Sequence, residues 1–193
     1  MNFAEYNVKD ANLEEVLLAL KSLDTVEAVA LGGSRSTGAS DENSDYDIYV
    51  YCAEIPTAET RENLLGKYCS IAEFGNHYWE SEDNTVMNNG IPVDIIYREV
   101  DRFGRYIDTV IKGGKAFNGY TTAFWHNIKN SKVLFDKTGS FTKFRDMAQI
   151  DFPENLRSAI IKNNRNLLNG KLPSYDRQIK KAQELSLIHI SEP

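Results

Sequence analysis

The stretch LGGSRSTGASDENSDYDIYV, residues 31–50, decides the fold because it joins two apolar runs and sets two aspartates at the mouth of the second. The first run, VEAVAL at 26–31, ends at paired glycines, which predicts a buried strand followed by a tight turn. The second run, YDIYVYC at 46–52, alternates and is rich in β-branched and aromatic residues, as strands are. Since successive strand side chains point to opposite faces, Asp45 and Asp47 must share one face.

A third aspartate, Asp94, lies inside the apolar run IPVDIIY. An unpaired buried carboxylate costs several kcal/mol, so Asp94 must be exposed at an edge, paired with a base such as Arg98 or Arg102, or bound to a cation. For Asp45 and Asp47 alone, a solvated strand entrance is the simple alternative. Taken together, three aspartates from neighbouring strands favour a hard-oxygen site suited to Mg²⁺.

The turn that follows the first strand has the residues of a phosphate-binding turn. Gly32 and Gly33 allow close approach of the backbone to a ligand, and a helix beginning near Ser34 would aim free N–H groups at an anion. Arg35 either contacts phosphate or pairs with an acid of the following loop, such as Asp41 or Glu42. The stretch is neither a Walker A motif nor GxGxxG, which excludes the P-loop and Rossmann interpretations.

The glycine turn and the three aspartates, at their spacing in this sequence, resemble the motifs of a known family. Gly33-Ser34, a spacer of ten residues, Asp45-Tyr46-Asp47 and the later Asp94 resemble the nucleotidyltransferase superfamily typified by DNA polymerase β, especially its minimal and antibiotic-modifying branches. The resemblance covers residues 26–98. A looser likeness joins residues 153–184 to the C-terminal helical region of uncharacterised bacterial members.

The resemblance implies a mechanism. Asp45 and Asp47 would hold two Mg²⁺ ions against a nucleoside triphosphate, expected to be ATP, and Asp94 would complete the metal site and receive the acceptor's proton. The nucleotide-binding residues that it implies are Gly32, Gly33, Ser34 and Arg35. The expected reaction transfers AMP to a hydroxyl of a small-molecule acceptor with release of pyrophosphate. The alternatives are a protein-modifying AMP transferase of an antitoxin type and a non-catalytic, nucleotide-binding regulatory subunit.

The pattern along the chain predicts an α/β (α+β) fold, with a polymerase β-like core of mixed sheet flanked by helices and a mainly helical C-terminal region. The predicted helices lie at 13–23, 57–70, 100–112, 121–129, 141–149, 155–168 and 175–184. The predicted strands lie at 26–31, 46–52 and 132–136, with a two-stranded hairpin over 84–99 that turns at Asn89-Gly90.

We expect a nucleotidyltransferase core at 1–115 and a helical region at 116–184 that is incomplete. Residues 185–193, LSLIHISEP, break the charged helical pattern and resemble a translated sequencing adapter, so we expect a non-native tail.

Composition narrows the function further. A net charge of -6 over 193 residues argues against a general nucleic-acid binder and favours a small-molecule or protein acceptor. No apolar run approaches a membrane span, and the polar N-terminus does not resemble a signal peptide, so a cytoplasmic location is expected. Cys52 and Cys69 are expected to be reduced thiols. Core packing is expected for Tyr78, Trp79 and Trp125, and stacking on a base or an acceptor ring is the alternative.

Overall fold

The computed structural model describes residues 10–38, 44–117 and 121–168, together with Lys180. Its helices are α1 (Ala11–Ser22), α2 (Gly33–Thr37), α3 (Ala58–Leu65), α4 (Val100–Ile111), α5 (Ala123–Asn130), α6 (Ser140–Ala148) and α7 (Glu154–Leu168). Its strands are β1 (Val26–Leu31), β2 (Tyr46–Cys52), β3 (Cys69–Asn76), β4 (Ser81–Met87), β5 (Pro92–Glu99) and β6 (Lys132–Asp136).

The six strands form one mixed sheet in the order β3-β4-β5-β2-β1-β6. β2 and β5 are parallel, and the other neighbouring pairs are antiparallel. Helices pack on both sides of this sheet, so the predicted fold class, a mixed sheet flanked by helices, is confirmed.

The two faces of the sheet bury different clusters. On one face, the apolar stripe of α1 packs against side chains such as Ile48 and Val50 of β2. On the other face, α4, α5 and α6 cover Tyr49 and Tyr51, the side chains that alternate with Ile48 and Val50. Asp47 belongs to this second face, so the aspartates lie on the side of the sheet that α4–α6 partly cover.

Most predicted elements are present within a few residues of their expected ends, and the largest difference is β3. The helix predicted over 57–70 ends at Leu65, and after a 3₁₀ turn the chain enters β3 at Cys69. β6 pairs with β1, so the sheet continues across the predicted boundary at residues 115 and 116. The helix expected at 175–184 and the tail at 185–193 lie outside the described residues, apart from Lys180.

Two simpler expectations can also be compared with the structure. Both cysteines are free thiols, Cys52 buried and Cys69 half-buried. None of the helices within the described ranges is long and apolar enough to cross a bilayer.

Candidate active site

The register of the parallel strands β2 and β5 sets Asp47 directly beside Asp94. Paired residues of adjacent strands point to the same face, so the two carboxylates lie side by side on the face that carries Tyr49. Asp45 precedes β2 by one residue and is exposed at the strand entrance. The structure therefore sets Asp47 and Asp94 side by side, with Asp45 near enough for its charge to act on Asp47.

The pKa of Asp47 is raised, in part because the other two carboxylates are close to it. Burial first, and then the neighbouring charges of Asp45 and Asp94, together raise the pKa of Asp47 from 3.8 to about 6. Among the residues that the structure describes, no three His, Cys, Asp or Glu side chains are gathered closely enough to hold a metal ion as they stand. The carboxylates thus share a face and repel one another without forming a finished coordination shell.

Asp94 is held by an amide rather than by a base. Asn84, which lies opposite Asp94 on the antiparallel neighbour β4, donates from Nδ2 to Asp94 Oδ1 at 2.9 Å. Arg98, one of the bases considered as a partner of Asp94, instead donates to both carboxylate oxygens of Glu80 at 2.8 Å. The Asp94 carboxylate is therefore not neutralised by Arg98.

The glycine turn lies in contact with this carboxylate cluster. β1 ends at Leu31, and the Gly32 N–H donates to the backbone oxygen of Asp47 at 2.8 Å. Gly33 begins α2 with a φ of +58°, and a Cβ at this position would lie 1.7 Å from Asp47 Oδ2. Only glycine allows both the left-handed backbone and the close approach.

Gly32 is required by packing rather than by its backbone angle. A Cβ at this position would lie 2.2 Å from Cε2 of Tyr49. Tyr49 is fixed in turn by Asn127 of α5, which donates to its hydroxyl at 3.0 Å, and by the Arg98 guanidinium, 4.3 Å from its ring centre. The glycine turn therefore packs against the buried ring of Tyr49, which α5 helps to hold in place.

Arg35 secures the entrance of β2. Its Nε donates to the backbone oxygens of Ser44 at 2.9 Å and Asp45 at 3.0 Å, and its guanidinium lies 4.0 Å from the ring centre of Tyr46. These contacts favour the structural role over the phosphate contact. The acids considered as partners for Arg35, Asp41 and Glu42, lie outside the described residues. Ser34 is half-buried in the first turn of α2.

Sequence reasoning missed two polar residues on the aspartate face of the sheet, Asn84 beside Asp94 and Asn76 beside Asn84. The signal for Asn84 was available, because a hairpin that turns at Asn89 pairs residues equally spaced on either side, which sets Asn84 opposite Asp94. Asn76 donates from Nδ2 to Asn84 Oδ1 at 2.7 Å. No comparable signal existed for Asn76, because its strand was not predicted.

The aromatic residues divide into two groups. Trp125 is buried and donates from Nε1 to the backbone oxygen of Ala148 at 2.8 Å, which confirms the expectation of core packing. For Tyr78 and Trp79 that expectation is wrong, since they are 80% and 81% exposed. Both lie in the connection between β3 and β4 at the edge of the sheet.

The chain matches one family profile, described as "Nucleotidyltransferase domain", over residues 13–117, more than half of its length. This region contains β1, the glycine turn, β2 and β5. Among curated proteins, none matches the chain.

Several solved structures are similar. A toxin-antitoxin with AMP-PNP is 15% identical over 86% of this chain and 97% of that chain, with a TM-score of 0.40. The Cid1 poly(U) polymerase is 19% identical over 59% of this chain and 38% of its own, with a TM-score of 0.39. Cid1 in complex with the UTP analog UMPNPP is 13% identical over 89% of this chain and 72% of its own, with a TM-score of 0.35. Similarity at this level identifies neither a substrate nor a partner for this chain.

Proposed function

Since this chain belongs to the nucleotidyltransferase domain family, we propose that it transfers AMP from ATP to a hydroxyl of a small-molecule acceptor and releases pyrophosphate. One observation carries the proposal: Asp47 and Asp94 are register partners in adjacent parallel strands, in contact with a glycine turn. Family membership supports transfer of a nucleotidyl group in general. The acceptor class, the nucleotide and the metal are the finer part of the proposal.

The donor set fits divalent cations of the Mg²⁺ class. Asp45, Asp47 and Asp94 offer hard carboxylate oxygens on one face, and their mutual repulsion would be offset by positive charge between them. Two Mg²⁺ ions, when bound, would polarise the phosphates and stabilise the charge that develops on the attacking and leaving oxygens. The aspartates would hold these ions, and the glycine turn would lie beside the triphosphate.

Residues of the chain would also bind the phosphates and accept the acceptor's proton. The first N–H groups of α2, at Gly33 and Ser34, have no acceptor within their helix and would donate to the β- and γ-phosphates. The acceptor oxygen forms a bond to the α-phosphorus, the bond from that phosphorus to the bridging oxygen breaks, and pyrophosphate leaves. The acceptor's proton passes to Asp94, whose Oδ2 is not the oxygen held by Asn84.

Charge and shape support a small acceptor. The net charge of -6 disfavours a polyanionic acceptor such as nucleic acid. A cavity of about 750 Å³ lies near the carboxyl end of β5, lined by aromatic and apolar side chains and by charged side chains of both signs, such as Arg98 and Glu80. Its described lining residues do not include the three aspartates. Its size suits a small ligand, and Arg98 lies two side-chain positions from Asp94 along the same face of the strand.

Pyrophosphate release by the full chain tests the proposal. The protein is incubated with Mg²⁺, each of the four ribonucleoside triphosphates in turn, and a panel of hydroxyl-bearing acceptors, while isothermal titration measures nucleotide binding. We expect release with ATP, and its loss in Asp45→Asn, Asp47→Asn and Asp94→Asn but not in Asp151→Asn, an exposed control. Nucleotide binding without turnover would instead indicate a regulatory subunit, and full turnover in the three variants would refute the metal site.

A further inference from the structure

The amides of Asn76 and Asn84 form a hydrogen-bonded chain that ends on Asp94. Asn76 Nδ2 donates to Asn84 Oδ1 at 2.7 Å, and Asn84 Nδ2 donates to Asp94 Oδ1 at 2.9 Å. The chain crosses β4 from the edge strand β3 to β5 on the aspartate face of the sheet. We refer to Asn76, Asn84 and Asp94 together as the amide relay.

The direction of the amide relay is fixed by its last member. An ionised carboxylate can only accept hydrogen bonds, so Asn84 must turn its NH₂ group towards Asp94 and its carbonyl towards Asn76. Asn76 must then supply a donor, as it does. The terminal torsion of an aspartate has a broad, shallow preference, and a hydrogen bond to one oxygen restricts it. Asp94 is thereby held with Oδ1 engaged and Oδ2 left for a ligand.

A bulge in β3 places the first member. The pairing of β3 with β4 is irregular between Glu73 and Asn76, and Gly75 within this bulge has a φ of +82°. The Gly75 N–H donates to Asp83 Oδ1 at 2.8 Å, and Asp83 also pairs with Arg61 at 3.2 Å. Bulges redirect side chains beside functional sites, and here the bulge is held by an ion pair whose side chains are 0% and 1% exposed.

A buried ion pair is a costly way to stabilise a fold, because two charges lose their hydration. Beneath the bulge, however, it fixes the backbone that carries Asn76. The buried ion pair thus holds the bulge, the bulge places Asn76, and Asn76 and Asn84 orient one carboxylate oxygen of Asp94.

We propose that Asn84, itself oriented by Asn76, is a positioning residue that fixes the Asp94 carboxylate for divalent-cation binding and for accepting the acceptor's proton. This inference rests on the proposed function, because it concerns the same carboxylate. Partners of metal-binding carboxylates typically contribute about 10- to 100-fold to metal affinity or activity. Asn84 contacts Asp94 directly, whereas Asn76 acts only through Asn84, so the two residues should differ in effect.

The test measures Mn²⁺ affinity of the full chain from the electron paramagnetic resonance signal of free Mn²⁺. Asn84→Ala and the similarly sized Asn84→Leu both lack the donor and should bind Mn²⁺ about tenfold more weakly than wild type. Asn76→Ala should weaken binding by about threefold and should add nothing in the Asn84→Ala background, because coupled residues are not additive. Asn88→Ala is the matched control, since its exposed amide donates to the Lys67 backbone oxygen and not to a member of the amide relay.

Turnover supplies a second measurement. In the Asn84 variants kcat should fall about tenfold while KM for ATP changes by less than about twofold, because the glycine turn that receives the triphosphate is untouched. Circular dichroism melting identifies variants that fail to fold, and the milder Asn76→Ala then carries the test alone.

The outcomes separate this inference from the proposed function. If wild type binds Mn²⁺ and Asp94→Asn weakens it, unchanged binding in both Asn84 variants overturns the amide relay alone. Additive effects of Asn76→Ala and Asn84→Ala would overturn the coupling between the two amides. If wild type binds no Mn²⁺ with or without a non-hydrolysable ATP analogue, both the metal site and the amide relay are refuted.

Discussion

Replacing Asp47 with asparagine should stabilise the fold while removing the proposed metal ligand. The pKa of Asp47 is raised from 3.8 to about 6 by burial and by its two carboxylate neighbours. At about 1.36 kcal/mol per pH unit, this difference would destabilise a fully buried group by about 3 kcal/mol. Asp47 is only half-buried, so solvent screening reduces the effect to about 1 kcal/mol.

The sign follows from proton linkage. Above pH 6 Asp47 is ionised in both the folded and the unfolded chain, and the full destabilisation is present. Between pH 6 and 3.8 the folded chain holds its proton more tightly than the unfolded chain, so the destabilisation fades as the pH falls. Asparagine, which carries no charge, removes the penalty only where it exists.

Thermal melting in EDTA measures this effect. At pH 7.5 Asp47→Asn should raise Tm by about 2 to 4 °C, the shift that about 1 kcal/mol produces in a chain of this size. At pH 4.5 the difference from wild type should shrink by about half or more. Asp151→Asn, an exposed aspartate outside the site, should show neither change. With Mg²⁺ and ATP added, wild type should gain stability and Asp47→Asn should not.

A Tm of Asp47→Asn that equals or falls below that of wild type at pH 7.5 would contradict this reasoning. It would mean that neither the burial of Asp47 nor the charges of its carboxylate neighbours penalise its ionised form in solution. A gain that persists unchanged at pH 4.5 would also contradict it, because the gain would then arise from packing rather than from charge.

Three further substitutions test neighbouring parts of the structure. Gly33→Ala should abolish pyrophosphate release, because its Cβ would lie 1.7 Å from Asp47 Oδ2. Gly38→Ala is also at positive φ, but its Cβ would have no atom of the described residues within 4 Å, so it should cost only about 1 to 2 kcal/mol of stability and retain turnover. Ser34→Ala should weaken ATP binding in isothermal titration by about 1 kcal/mol through loss of one hydrogen bond, and an unchanged Kd would place the phosphates elsewhere. Asp83→Ala should lower the free energy of unfolding in urea by about 3 to 5 kcal/mol, because it leaves Arg61 buried and unpaired; a loss below about 1 kcal/mol would show that the pair is solvated.

The parts of the site that lie on a strand with alternating side chains, or next to a recognisable turn, could be predicted from the sequence. Alternation in YDIYVYC gave β2 and the shared face of Asp45 and Asp47, and Asn89-Gly90 gave the hairpin that carries Asp94. The parallel pairing of β2 with β5 joins strands that are distant in sequence, so it has no local signal. Only the family resemblance indicated it. The role of Tyr49 beneath Gly32 is likewise set by packing between elements distant in sequence.

β3 was not predictable for a physical reason. As an edge strand it is largely exposed on both faces between Ser70 and Glu73, so CSIAEFGN lacks the apolar alternation that marks a half-buried strand. Its position depends on pairing with β4 and on the buried Asp83 beneath the bulge. Because Asn76 lies at the end of this strand, the outer half of the amide relay was invisible to pattern reasoning.

The same packing that builds the core explains the unusual carboxylates. Asp47 and Tyr49 share one face of β2, but α4–α6 bury Tyr49 and leave Asp47 half covered. The aspartates therefore sit at the margin of an apolar cluster, where charges are screened less than in water and repel more strongly. That location raises the pKa of Asp47, and it would equally strengthen the attraction between these carboxylates and a divalent cation. A substitution that opens the cluster, such as Phe103→Ala, should therefore weaken divalent-cation binding even though Phe103 is not one of the proposed ligands.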